Sequence, residues 1–116
     1  MAISLFTGDT VTTSSTEFSL VSGAAYNSGT TFSTSDGVYQ LFLDTSDMAV
    51  GEEVQVRIYE KVRSGDTQRI VYQVNLFGPQ SSGYVFPALV LMHGWDMTVD
   101  AIAGTADIGY AIKKVA

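Results

Sequence analysis

The single histidine of this chain, His93, stands in Met92-His93-Gly94-Trp95, and the chain has no cysteine. A nucleophilic site built on His93 would need a serine and a carboxylate delivered from distant segments, because no serine lies in a G-x-S-x-G turn. Zinc sites draw several ligands from His and Cys, so one histidine is a poor start for one. Carboxylates are better supplied: Asp44-Thr45-Ser46-Asp47 and Glu52-Glu53 place four acids within ten residues. Calcium takes such oxygen ligands, but the D-x-D-x-D-G register is missing, and the better-supported reading has Asp44 and Asp47 forming turns, with Ser46 or Asp47 capping a short helical turn. Gly78-Pro79-Gln80-Ser81-Ser82-Gly83 lacks the lysine and the following helix of a phosphate loop. No catalytic, cofactor-binding or metal-ligating set is expected, and a small hydrolase is the least supported class.

Aromatic side chains are the remaining candidates, with six Tyr, six Phe and one Trp. Sugar-binding sandwiches stack ligands on exposed Tyr and Trp. Alternation puts Tyr39, Tyr72, Tyr110 and Trp95 on inward faces, as core residues, and leaves Tyr26, Tyr59 and Tyr84 as surface contacts.

The elements that must carry these residues have a period of two from Gly37 onward. Tyr39, Leu41 and Leu43 share a face; so do Val54, Val56, Ile58 and Val62, opposite Gln55, Arg57, Tyr59 and Lys61. Further on, Ile70, Tyr72, Val74 and Leu76 form one face, Trp95, Met97, Val99 and Ala101 another, and Ile108, Tyr110 and Ile112 a third. Alternation of this kind marks antiparallel strands with one wet side. Arg63–Gln68 and Ala103–Ala106 are expected to close hairpins, Gly78–Gly83 to cross between sheets, and Asp44–Gly51 to hold a helical turn around Met48. The run Tyr84–Met92, interrupted by Pro87, is a buried strand or bend. At least six short strands in 116 residues predict an all-β fold, an antiparallel β-sandwich of Ig-like or jelly-roll-like form with a Ser/Thr-rich extended N-terminal segment.

That segment is residues 1–36, an arm with the first strand or strands, belonging to the same domain as the sandwich core, 37–116. It holds 16 of the 24 Ser and Thr. Thr10–Thr16 is β-prone with little to bury, and gains order by pairing with an edge, its own or a neighbour's. An arm of this kind predicts that a chain without residues 1–16 stays folded but assembles poorly.

Length and composition bound the rest. One domain fits, and 46% apolar residues suffice for a core without staples. The net charge of −6 is uneven: residues 1–56 have seven acids and no Lys or Arg. Nucleic acid is not an expected partner, since no basic stripe exists. Nor is a membrane expected, since no apolar run reaches about 20 residues. The N-terminus lacks the basic start and long apolar run of a signal peptide, which predicts folding in a cytoplasm.

Asp36–Asp44 followed by Val56–Val62 resembles small virion proteins encoded in the structural regions of tailed bacteriophages. Thr16–Leu20, Thr67–Val71 and Pro87–Thr98 extend the resemblance over most of residues 16–116. It implies a virion structural protein, foremost a capsid decoration (cement) protein assembled in the host cytoplasm. Its partners would be the major capsid protein or other virion proteins, with further copies of itself on the particle. A tail, baseplate or connector component, or a carbohydrate- or receptor-binding sandwich, is the alternative. Candidate partner contacts are Thr10, Thr12 and Thr13 on the arm, Tyr26, Tyr59 and Tyr84, and the basic group Arg57, Lys61, Arg63 and Arg69.

Overall fold

In the computed structural model, which describes residues 3–80 and 83–116, the alternating segments become strands in two antiparallel sheets. The order along the chain is β1 (Ser4–Thr12), β2 (Phe18–Ser19), β3 (Ala24–Ala25), β4 (Gly37–Asp44), β5 (Glu53–Glu60), β6 (Arg69–Phe77), β7 (Tyr84–Leu91), β8 (Asp96–Ala103) and β9 (Asp107–Lys114). One sheet runs β1-β9-β4-β7 and the other β3-β2-β8-β5-β6. No helix occurs among the described residues. The fold is a β-sandwich, as the alternation requires.

Between the sheets lies one core. The four-stranded sheet contributes Tyr39, Leu41, Leu43, Phe86, Leu89, Leu91, Ile108, Tyr110 and Ile112; the five-stranded sheet contributes Val54, Val56, Ile58, Leu76, Met97 and Val99. Trp95 is completely buried. Its ring lies 4.6 Å from Tyr39 and 5.4 Å from Phe6, and its indole N–H donates to the Ser35 carbonyl at 2.8 Å. The aromatic body fills the core while its one polar atom is satisfied, the condition for burying a tryptophan.

Bulges explain where simple alternation fails. Tyr39 opposes Leu89 while Leu41 opposes Phe86, so Pro87 and Ala88 together face one residue of β4. This extra residue restores Leu89 and Leu91 to the inward face after a proline that has no N–H to give. On β6, Ile58 opposes Tyr72 and Tyr59 opposes Ile70, leaving Val71 as the inserted residue. Directly opposed residues share a face, so Ile70 joins Tyr59 on the outer side, not Tyr72, Val74 and Leu76 on the inner one. Tyr72 is not a core residue either: it lies at the sheet margin, 52% exposed. Val62 falls beyond the strand and is exposed.

Arg63–Gln68 does lie within a hairpin connection, between the paired strands β5 and β6. Ala103–Ala106 does not make a hairpin: β8 and β9 belong to different sheets, and this link crosses the sandwich. The connection from β6 to β7 also crosses, although Ser81 and Ser82 within it lie outside the described residues, as do Met1 and Ala2. Around Met48 there is a turn rather than a helical segment, with the Met48 N–H donating to the Thr45 carbonyl at 3.1 Å and the side chain buried. Gly78 packs directly on this turn. A Cβ there would sit 2.2 Å from Met48 Cβ, so only glycine permits the approach.

Residues 1–36 are built into both sheets. β1 pairs with β9 of its own chain, Val11 enters the core, and Phe6 packs on Tyr39 and Trp95. Removing residues 1–16 would therefore uncover core side chains, which argues against the expectation that such a chain keeps its fold.

Candidate functional site

The outer face of the five-stranded sheet collects most of the polar side chains that alternation assigned to solvent. Cross-strand rows run Thr98–Arg57–Gln73 and Asp100–Gln55–Asn75. Arg57 donates to Gln73 at 3.2 Å and to Gln55, and its guanidinium lies 3.3 Å from Glu17 and 3.7 Å from Asp100. Glu17 accepts from the hydroxyls of Tyr59, at 2.6 Å, and Thr98. One carboxylate from the N-terminal region thus satisfies three side chains of the sheet.

Asp96 is the deepest of these groups, with no accessible surface. It accepts from Ser19 at 2.7 Å, Thr31 at 2.6 Å and the Met97 N–H at 2.8 Å. Burial holds its carboxyl above the usual range; those three hydrogen bonds oppose the rise, and the charge of Glu17 adds to it. Asp100 is raised by burial and pulled back by Arg57. Alternation correctly put Asp96, Thr98 and Asp100 on the outer face, but residues 13–36 cover it, and Asp96 and Thr98 are fully buried.

Tyr59, expected at the surface, is also buried here. Tyr26 stacks on it at 4.6 Å and donates its hydroxyl to Gln68 at 2.7 Å. Burial first, and then the negative charges of Glu17 and Asp96, push the Tyr26 phenol up to about 12. The Tyr59 phenol is raised by burial and by its bond to Glu17. Hydroxyls meeting a buried carboxylate hold a segment down well; an open cleft with a reactive group is not what they form. This cluster is a clasp fastening residues 13–36 across the sheet.

Other expected contacts scatter. Thr10 is exposed, and Thr12 donates to Asp107 at 2.6 Å. Thr13 is buried, its hydroxyl donating to the Ala106 carbonyl at 3.1 Å and accepting the Ala106 N–H at 3.0 Å, so it offers nothing to a partner. Arg57 is half-buried within the clasp. Lys61 lies 4.2 Å over the Phe32 ring, Arg63 pairs with Asp66 at 3.1 Å, and Arg69 is exposed. Tyr84 is half-buried against Phe86 at 5.2 Å. Among the described residues no three His, Asp or Glu side chains converge as metal ligands. Hydrogen bonding from Ser46, by its side chain first and then by its N–H at 3.0 Å, lowers the Asp44 pKa, and Glu52 accepts the N–H groups of Ala49 and Thr105. His93 borders a cleft of about 350 Å³ with Phe32, Thr34, Lys61, Ser64, Met92 and Gly94, without a carboxylate among them.

The surface that stands out was missed by alternation. β7 is one edge of the four-stranded sheet, β1 being the other, and β6 is one edge of the five-stranded sheet, β3 being the other; β6 and β7 lie beside one another, with Tyr72 and Phe86 rings 6.2 Å apart. Neither Ile70–Phe77 nor Tyr84–Met92 contains an acid or a base. A groove of about 380 Å³ runs between them, lined by Val71, Tyr72, Ala88, Leu89, Val90 and Leu91, with Glu60 at one end. Val90 is 76% exposed and Val71 45%. Free edges present unpaired N–H and C=O groups and are normally blunted by charge, proline or a bulge. Here Pro87 and the bulge at Val71 interrupt pairing locally, and Tyr72–Phe77 is left regular, apolar at its margins and uncharged. The signal was present in the sequence as two consecutive segments without charge, 70–77 and 84–92, but only the strand order shows that both belong to edges.

Fold and surface together define a two-sheet antiparallel β-sandwich whose adjacent edges β6 and β7 carry no acid or base over 70–77 and 84–91. No protein-family model matches the chain, and no curated protein or solved structure matches it.

Proposed function

We propose that this protein is a structural subunit of a bacteriophage virion, a capsid decoration protein that binds its neighbours through the open side formed by β6 and β7. The observation that carries the reading is the pair of adjacent uncharged edges. In a chain with 16% charged residues, two successive edge segments without charge, Ile70–Phe77 and Tyr84–Leu91, each unpaired along its outer side and flanking an apolar groove, are suited to strand addition by another subunit. Backbone hydrogen bonds then supply affinity, and the groove selects side chains. Repetition on a lattice multiplies weak contacts of this kind. The resemblance of Asp36–Asp44, Val56–Val62 and Pro87–Thr98 to virion proteins supplies the setting. Burial of Tyr59 and half-burial of Tyr84 weaken the sugar-binding alternative, which called on an exposed Tyr59 or Tyr84.

The test is incorporation into particles. Val71→Lys and Val90→Lys put charges on the two edges at exposed positions, where substitutions usually change stability by no more than about 0.5 kcal/mol. We expect the wild-type protein in purified virions and the folded double variant absent from them. Wild-type protein missing from virions, or the variant incorporated as well as wild type, would contradict the proposal.

A further inference from the structure

The charged residues, distributed unevenly along the chain, become sorted between the two ends of the molecule. β4 ends and β5 begins at one end, so Asp44, Asp47, Glu52 and Glu53 lie there, and the crossing between β8 and β9 brings Asp107 beside them. Contacts tie these segments together: Glu52 accepts the Thr105 N–H at 3.1 Å, and its carbonyl accepts the Gly78 N–H at 3.1 Å. Residues 44–53, 77–80, 83–84 and 103–107, which lie at this end, include no Lys or Arg. Lys61, Arg63 and Arg69 lie at the other end, on and beside the connection from β5 to β6. Lys113 and Lys114 reach it through β9, where Lys114 opposes Tyr39 at the start of β4. That end also has Asp36, Glu60 and Asp66. Five of the six bases nevertheless sit there, opposite five acids, in a molecule whose longest dimension is 40 Å.

We propose that copies of this chain associate head to tail, the acidic end of one meeting the basic end of the next. Strands of eight or nine residues, rising about 3.3 Å per residue, hold the two ends apart by more than the screening length of about 10 Å at 0.1 M salt, so each end interacts with what touches it rather than with the net charge. The two like ends repel one another and the two unlike ends attract, which fixes polarity. Because the contact joins two different surfaces, it does not stop at two copies: successive copies form a stack. β6 and β7 flank such a stack and remain free, so this contact uses different residues from the edge docking proposed above and stands or falls separately.

Sedimentation velocity on the purified full chain tests it. At about 0.02 M salt the wild-type mass should rise with concentration above the 12.4 kDa monomer, and at about 0.5 M salt it should return to monomer. Arg63→Glu with Arg69→Glu makes both ends acidic, and Asp47→Lys with Glu53→Lys adds bases to the acidic end. Each double variant, checked for fold by circular dichroism, should be monomeric alone at low salt, and an equimolar mixture of the two should associate again. A wild-type monomer at every concentration in low salt would overturn the proposal, as would association indifferent to salt or to either reversal, or a mixture of folded variants that stays monomeric. Association that persists in high salt but is lost in Val71→Lys would assign self-contact to the open edge instead.

Discussion

Asp96 shows what single residues contribute to this fold. It is a buried carboxylate whose partners are two hydroxyls and one amide, with no base in contact. Its pKa is raised from an unfolded value near 3.8, chiefly by burial, so the native state holds the proton more tightly than the unfolded chain. The linked stability is complete below the unfolded value and is lost as pH rises through the folded one. Melting temperatures of wild type and Asp96→Asn, measured from about pH 7 down to about pH 4, should therefore change by different amounts, wild type gaining relative to the variant as pH falls. A constant difference would mean that Asp96 is not the group that titrates. Trp95→Ala tests the core itself. It should cost about 3–5 kcal/mol in a denaturant titration, the usual range for truncating a buried large aromatic. An unchanged midpoint would mean that the ring is not packed between the sheets.

At the scale of elements, alternation alone located β4, β5, β8 and β9 and the sides their residues take. It failed at Ile70 because one inserted residue, Val71, exchanges faces, and no local property of Arg69–Phe77 reveals the insertion. Tyr59 and Asp96 failed for another reason. A period of two assigns a residue to a face, but whether a loop covers that face depends on segments 40 to 80 residues away, as the bonds from Glu17 to Tyr59 and from Ser19 to Asp96 show. The hairpin expected at Ala103–Ala106 is a turn of suitable composition that leads to the other sheet, since turn residues specify a bend and not its destination. β1 illustrates the same limit: Ser and Thr dominate its neighbourhood, yet Phe6 and Val11 are enough to make it part of the body. Deleting residues 1–12 should accordingly broaden or abolish the cooperative melting transition. A sharp transition near the wild-type temperature would show that β1 is a dispensable arm after all.

Taken as a whole, the molecule is a sandwich closed by residues 13–36 on the outer face of one sheet, open along β6 and β7, and polarised from end to end. The imbalance of charge between residues 1–56 and 57–116 is visible in the chain; its conversion into two ends is not, because antiparallel strands return Asp107 to the acids of 44–53 and carry Lys113 and Lys114 to the bases of 61–69. The open side is the most consequential of these features, since it combines two adjacent edge strands, an apolar groove and a lack of charge over 70–77 and 84–91. Amide hydrogen exchange compares it directly in the free chain and in purified virions. Amides of 70–77 and 84–91 should gain protection in the particle by more than those of any other strand. Equal exchange of these two strands in both states, in a protein that is present in the particle, would contradict the claim that it works through this edge.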